Sequence, residues 1–172
     1  MKFILSIVFV FILTSYSFSQ DNTGRVIPNI NIKTLQGQHT NTSVIENDGK
    51  PIILAFWASW CRPCIQELSA IAEVYDEWQE ETGVKLVAVA TDDARTVRNV
   101  MPLINSRAWD YEFYLDDNSD FRRAMGVNLL PHTFILNGNR EVYQQFTAFG
   151  EGGEVKLIEA VKEILEKENK KE

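Results

Sequence analysis

Basic clusters are scarce in this sequence. Lys and Arg total 17 against 24 Asp and Glu, a formal net charge of −7, and the short tail "KENKKE" is the one place where Lys gathers. Phosphate binding needs a concentrated basic surface, which argues against nucleic acid as the main partner. The acidic balance reads as solubility. Long apolar runs are also missing. The N-terminal stretch "FILSIVFVFIL", Phe3 to Leu13, is short of the roughly 20 residues that a helical membrane span requires. No Cys follows that stretch, so a lipoprotein-type anchor has no attachment site. Internal repeats and low-complexity tracts are absent. Cysteine itself is rare: Cys61 and Cys64 are the only two in 172 residues.

What is present at the N-terminus reads as an export signal. Lys2 supplies a positive charge, the apolar run follows, and the weaker segment "TSYSFSQDN" places the small residues Ser17 and Ser19 two apart. Residues 1–19 are therefore expected to be a signal peptide cleaved after Ser19, with an uncleaved N-terminal anchor as the alternative. Residues 20–172 are expected to form a single domain outside the cytoplasmic membrane, in the periplasm or an equivalent compartment where thiols tend to be oxidised.

The pattern of that domain alternates between strands and helices. Ile30, Ile32 and Leu35 alternate enough for a short edge strand, and the following "QGQHTNTSVIENDGK" is rich in turn residues. "PIILAFW" and "VKLVAVA" are continuous apolar runs, suited to strands buried on both faces. Between them, Ile65, Leu68, Ile71, Tyr75 and Trp78 recur at helical spacing up to Gly83. Asp92 or Asp93 is expected to cap a helix carrying Val97, Val100, Met101 and Ile104, with Pro102 imposing a kink or a late start. "YEFYLDD" reads as a third strand and "SDFRRAMGV" as a short helix ending at Gly126. "HTFILN" and "EVYQQFTAF" flank Asn137-Gly138-Asn139, a hairpin signal, and Glu154–Glu168 closes the chain as an amphipathic helix. This order describes an α/β protein with helices around one sheet.

The two thiols admit three uses. As a staple they close a tiny loop, which gains little stability from unfolded-state entropy. As a zinc site they supply two of four ligands, and neither His39 nor His132 has a partner at ligand spacing; copper(I), which two thiolates and one imidazole can hold, stays open. As a redox pair they have a physical cause. The strand ending at Trp60 hands over to a helix beginning near Cys61, and a helix N-terminus offers unpaired N–H groups and partial positive charge. Both favour a Cys61 thiolate, and Arg62 adds a cation. Pro63 has no N–H to lose in the first turn. Cys64, one turn inward, is placed to resolve a mixed disulfide.

"FWASWCRPC" resembles the active-site segment of thioredoxin-like proteins, and "LLPHTFIL", Leu129 to Leu136, resembles that family's second hallmark, a cis proline before a strand facing the dithiol. The similarity runs from about Ile27 to Lys167 and is strongest with the secreted TlpA/ResA-type disulfide reductases. The leader, the opening "IPNINIKTLQGQ" and the insertion Thr91 to Asp117 support that branch. The resemblance implies a thioredoxin-like fold: a central mixed sheet sandwiched by helices, with an N-terminal strand extension and a central helix–strand insertion. It implies Cys61 as the attacking thiol, Cys64 as the resolving one and Pro131 as the cis proline. Leu130 would offer its backbone to an extended substrate, with Trp60, Arg62 and Pro63 on the rim. Cytoplasmic thioredoxins carry a buried Asp six residues before the first Cys, where this chain has Ala55; the resemblance moves the proton-handling role to Glu67. From the residues alone, Glu67 reads first as a solvated first-turn Glu favoured by the helix dipole.

The expected activity is that of a monomeric thiol:disulfide oxidoreductase, a protein-disulfide reductase acting on protein cysteines. The resemblance implies a membrane-bound thiol electron donor, and the dithiol itself serves as redox group without an organic cofactor or metal. Two other readings compete: a thioredoxin-fold copper chaperone, and a peroxiredoxin-like peroxidase, which would use a lone Cys beside Thr and Arg. Trp57 is expected in the core and Trp60 on the rim. His132 is expected to be structural, with a place near the dithiol as the alternative, and His39 to lie on the surface.

Overall fold

The protein is described here by a computed structural model covering residues 24–170. The expected signal peptide lies outside the described residues. Seven strands form one mixed sheet: β1 (Asn31–Thr34), β2 (His39–Asn41), β3 (Ile52–Trp57), β4 (Lys85–Ala90), β5 (Glu112–Leu115), β6 (His132–Leu136) and β7 (Val142–Thr147). Their spatial order is β2-β1-β5-β4-β3-β6-β7. β3, β4 and β5 run parallel, and every other pairing is antiparallel. The helices are α1 (Arg62–Ala72), α2 (Tyr75–Thr82), α3 (Val100–Arg107), α4 (Asp120–Ala124) and α5 (Gly153–Asn169). This is the α/β thioredoxin-like fold. Among the described residues no helix is long and apolar enough to cross a membrane.

The two continuous apolar runs occupy the centre because both of their faces are covered. Every residue of β3 is buried, and alternate side chains enter two different cores. Ile53, Ala55 and Trp57 pack under α1, α2, α3 and α5, whereas Ile52, Leu54 and Phe56 pack under α4 and the N-terminal segment.

Four local readings change. First, β1 is not an edge: it pairs with β5 as well as with β2, and the edge is β2, a three-residue strand inside the turn-rich segment. Second, the single helix expected from Cys61 to Gly83 breaks at Glu73–Val74, where Val74 has φ −126° and ψ 0°. The break turns Tyr75 inward, and its hydroxyl accepts the Leu86 N–H at 2.8 Å. β5 pairs with β4 only from Val87 onward, so the hydroxyl supplies a partner at the open start of that ladder. Third, Asp92 and Asp93 do not cap α3, whose N-cap Asn99 makes no side-chain capping bond; α3 starts late, with Pro102 in its first turn. Fourth, Ile65 is only partly buried, and the inward face of α1 is Cys64, Glu67, Leu68 and Ile71.

Candidate active site

The site lies where β3 ends and α1 begins. Cys61 is the N-cap of α1, with extended backbone, and is joined to Cys64 by a disulfide with Cα atoms 5.3 Å apart. The Cys64 N–H points at Cys61 Sγ at 3.3 Å, and Cys61 C=O accepts the Ile65 N–H at 3.1 Å, which closes the first turn. Pro63 sits in that first turn, where its missing N–H leaves no donor unpaired. Cys61 is 5% exposed and Cys64 is 0% exposed, so the outer sulfur is the one that a partner can reach.

Antiparallel pairing brings the second half of the site to the same end of the sheet. β6 is in register with β3 so that His132 faces Phe56 and Thr133 faces Ala55. Pro131 directly precedes β6, and the Leu130–Pro131 bond is cis. Pro131 is buried, Leu130 half-buried and Leu129 71% exposed. Trp60 is 61% exposed, and Arg62 and Pro63 are exposed beside it. Trp57 is fully buried against Trp109 and Phe113.

Glu67 is the buried charge of the site. It lies one helical turn beyond Cys64 on the inward face of α1 and is 3% exposed, so it is not a solvated first-turn residue. The Thr133 hydroxyl donates to its Oε1 at 2.9 Å. Burial raises its pKa from 4.5 to about 7, against the smaller opposing effect of that hydrogen bond. The small side chain of Ala55, cross-strand from Thr133, leaves this space open to a carboxylate arriving from the helix above. Glu67 also lines a cavity of about 150 Å³ between the end of β7 and the start of α5, with Phe146, Phe149 and Lys156.

His132 points the other way. Alternation along β6 puts it on the face of Phe134 and Leu136, where its ring stacks on Phe134 at 4.5 Å and Nε2 meets Gln145 Oε1 at 3.2 Å. Burial holds its imidazole below the usual value. His39 is exposed on β2. The structure thus brings no imidazole to the dithiol, and among the described residues no group of three His, Cys, Asp or Glu is placed to hold a metal ion.

Sequence reading overlooked Thr133 and Leu129, and assigned Asp92 to the wrong element. Thr133 had a signal: it lies two residues past Pro131 and so shares its face of the strand. Asp92 had none, because its partner Ser59 is 33 residues away.

A strand-to-helix dithiol opposite a cis proline, on this sheet, defines the thioredoxin-like class of oxidoreductases. Within it, the chain belongs to the AhpC/TSA family, which residues 23–145 match. It is similar to the thiol-disulfide oxidoreductase ResA of Bacillus thuringiensis, with 28% identity over 144 residues covering 82% of this chain and 78% of ResA. Among solved structures it resembles an uncharacterized thioredoxin-like protein from Porphyromonas gingivalis, with 42% identity, TM-score 0.73 and coverage of 85% and 95% of the two chains. It also resembles StoA from Bacillus subtilis, with 26% identity, TM-score 0.61 and coverage of 77% and 97%.

Proposed function

We propose that this protein is a thiol-disulfide oxidoreductase that reduces disulfides of other proteins outside the cytoplasmic membrane. The observation that carries this reading is the Cys61–Cys64 pair itself: an outer sulfur at a helix N-cap, joined to a buried sulfur one turn inward.

In the disulfide form the Cys64 N–H is aimed at Cys61 Sγ, and after reduction the same first turn of α1 would hold the Cys61 thiolate. It attacks one sulfur of a substrate disulfide, forming a mixed disulfide and releasing one substrate thiolate. Cys64 then loses its proton to Glu67 and attacks Cys61 Sγ. The substrate leaves as its second thiolate, and the Cys61–Cys64 disulfide remains. Two electrons pass to the substrate, and two cysteine thiols are oxidised. A carboxyl with a pKa of about 7 suits the proton transfer, since it is partly ionised at neutral pH.

The exposed Trp60 and Leu129, with Arg62, Pro63 and the Leu130 backbone, form the rim that an extended protein segment would meet. The dithiol must be re-reduced after each turnover, and a membrane-bound thiol protein is the donor that the resemblance to the TlpA/ResA-type reductases implies. As proposed, the reaction draws on no organic cofactor or metal.

The direct test is reduction of insulin by the reduced protein, together with trapping. Cys61→Ser should abolish insulin reduction. Cys64→Ser should accumulate substrates as mixed disulfides on Cys61, identifiable after non-reducing electrophoresis. Wild-type insulin reduction by the Cys61→Ser protein would overturn the proposal.

A further inference from the structure

Asp92 lies two residues past the end of β4, is 1% exposed, and takes part in no ion pair among the described residues. A buried carboxylate without a cation is costly unless hydrogen bonds satisfy it. Both of its oxygens turn to one residue. Ser59 donates its backbone N–H to Oδ2 at 2.8 Å and its hydroxyl to Oδ1 at 2.5 Å. The residue before Asp92 holds the chain two positions earlier, as a donor: the Thr91 N–H and Thr91 hydroxyl both donate to the Trp57 C=O, at 2.9 and 3.2 Å. The extension of β4 therefore grips the chain at Trp57 and at Ser59. Between these points lies Ala58, whose C=O accepts the Cys61 N–H at 3.0 Å.

This segment is the only covalent link between the end of β3 and the head of α1, and it has no regular ladder of its own. Without an anchor, the four-residue turn from Ala58 to Cys61, which carries the large exposed Trp60, has several conformations open to it. We propose that Asp92 is a positioning residue for Cys61: by holding Ser59 through both carboxylate oxygens, it fixes the turn that sets the attacking sulfur at the N-terminus of α1. This rests on the dithiol reading above, and it assigns to the end of β4 a part in the reaction that its distance along the chain conceals. Asp92 touches neither sulfur. It acts through Ser59, by keeping Cys61 where the helix N–H groups favour the thiolate.

The effect can be separated from charge and from simple stability. The readout is the pH dependence of Cys61 alkylation by iodoacetamide in the reduced protein. Ser59→Ala removes one of the two bonds and leaves the Asp92 charge; Asp92→Ala removes both bonds and the charge. Loss of positioning raises the Cys61 thiol pKa in both variants, by about half a unit or more, which is roughly a threefold loss of thiolate at pH values below it. Loss of a buried negative charge alone would lower the thiol pKa in Asp92→Ala. Loss of stability alone would leave the titration of the folded variant unchanged. An unchanged or lowered pKa in the folded Ser59→Ala protein, which keeps the Asp92 charge, overturns the proposal. Ser59→Ala deletes one hydroxyl from a half-buried turn residue, so it carries the test if Asp92→Ala does not fold. The dithiol reading fails separately, through insulin reduction by the Cys61→Ser protein.

Discussion

The Glu67 carboxyl accepts a hydrogen bond from the Thr133 hydroxyl at 2.9 Å, one helical turn beyond Cys64 and shut off from solvent. The helix supplies the acid, and the strand after the cis proline supplies its partner. Glu67→Gln preserves shape and an acceptor for Thr133 but cannot take a proton. Insulin reduction should fall, by roughly 10²-fold if proton transfer from Cys64 limits release, and the rate inflection near pH 7 should disappear. Rates measured from pH 5 to 9 check this. An unchanged profile would remove Glu67 from the proton path. Thr133→Val deletes the bond that lowers the Glu67 pKa, so the same inflection should move to higher pH.

The same carboxyl should cost stability above neutrality. Its pKa is raised from 4.5 to about 7 on folding, so the folded state binds the proton more tightly than the unfolded one. Below pH 4.5 both states are protonated and the cost vanishes; it grows as pH rises and is complete above pH 7. Glu67→Gln should therefore stabilise the oxidised protein by up to about 3 kcal/mol at pH 8 and by little at pH 4. Denaturant unfolding at the two pH values measures the difference.

The rim should matter for proteins and not for small disulfides. Trp60 and Leu129 are the large exposed apolar side chains nearest in sequence to Cys61 and Pro131. Replacing either with Ser removes apolar contact worth about 1.5 kcal/mol or more, enough to raise KM for a protein substrate roughly tenfold. The rate with a small aromatic disulfide should stay near wild type. Equal losses on both substrates would mean that the substitution disturbs the dithiol itself.

Tyr75→Phe tests the break between α1 and α2. It keeps the ring against Tyr111 but leaves the buried Leu86 N–H without its acceptor. Stability should fall by about 1–3 kcal/mol, read from the denaturant midpoint, with the Cys61 thiol titration unmoved.

The legible parts were those whose cause is local. Continuous apolar runs marked β3 and β4, because a strand buried on both faces has no polar side to show. The change of period after Cys61 marked the start of α1, and Asn137-Gly138-Asn139 marked the hairpin between β6 and β7. β2 was hidden because three polar residues at a sheet edge carry no hydrophobic alternation. The break at Val74 was hidden because the apolar spacing runs through it; a hydroxyl reaching a strand amide decides it.

By itself, the sequence determined that two thiols one helical turn apart sit at a strand-to-helix junction, since hydrophobic period and first-turn proline chemistry act over a few residues. Only the tertiary structure decided which other groups meet them. β3–β6 register turned Thr133 toward Glu67 and His132 away, and the end of β4 brought Asp92 to Ser59. Such pairings follow from sheet order and from which face of a strand a helix covers, and both are set by the whole core at once.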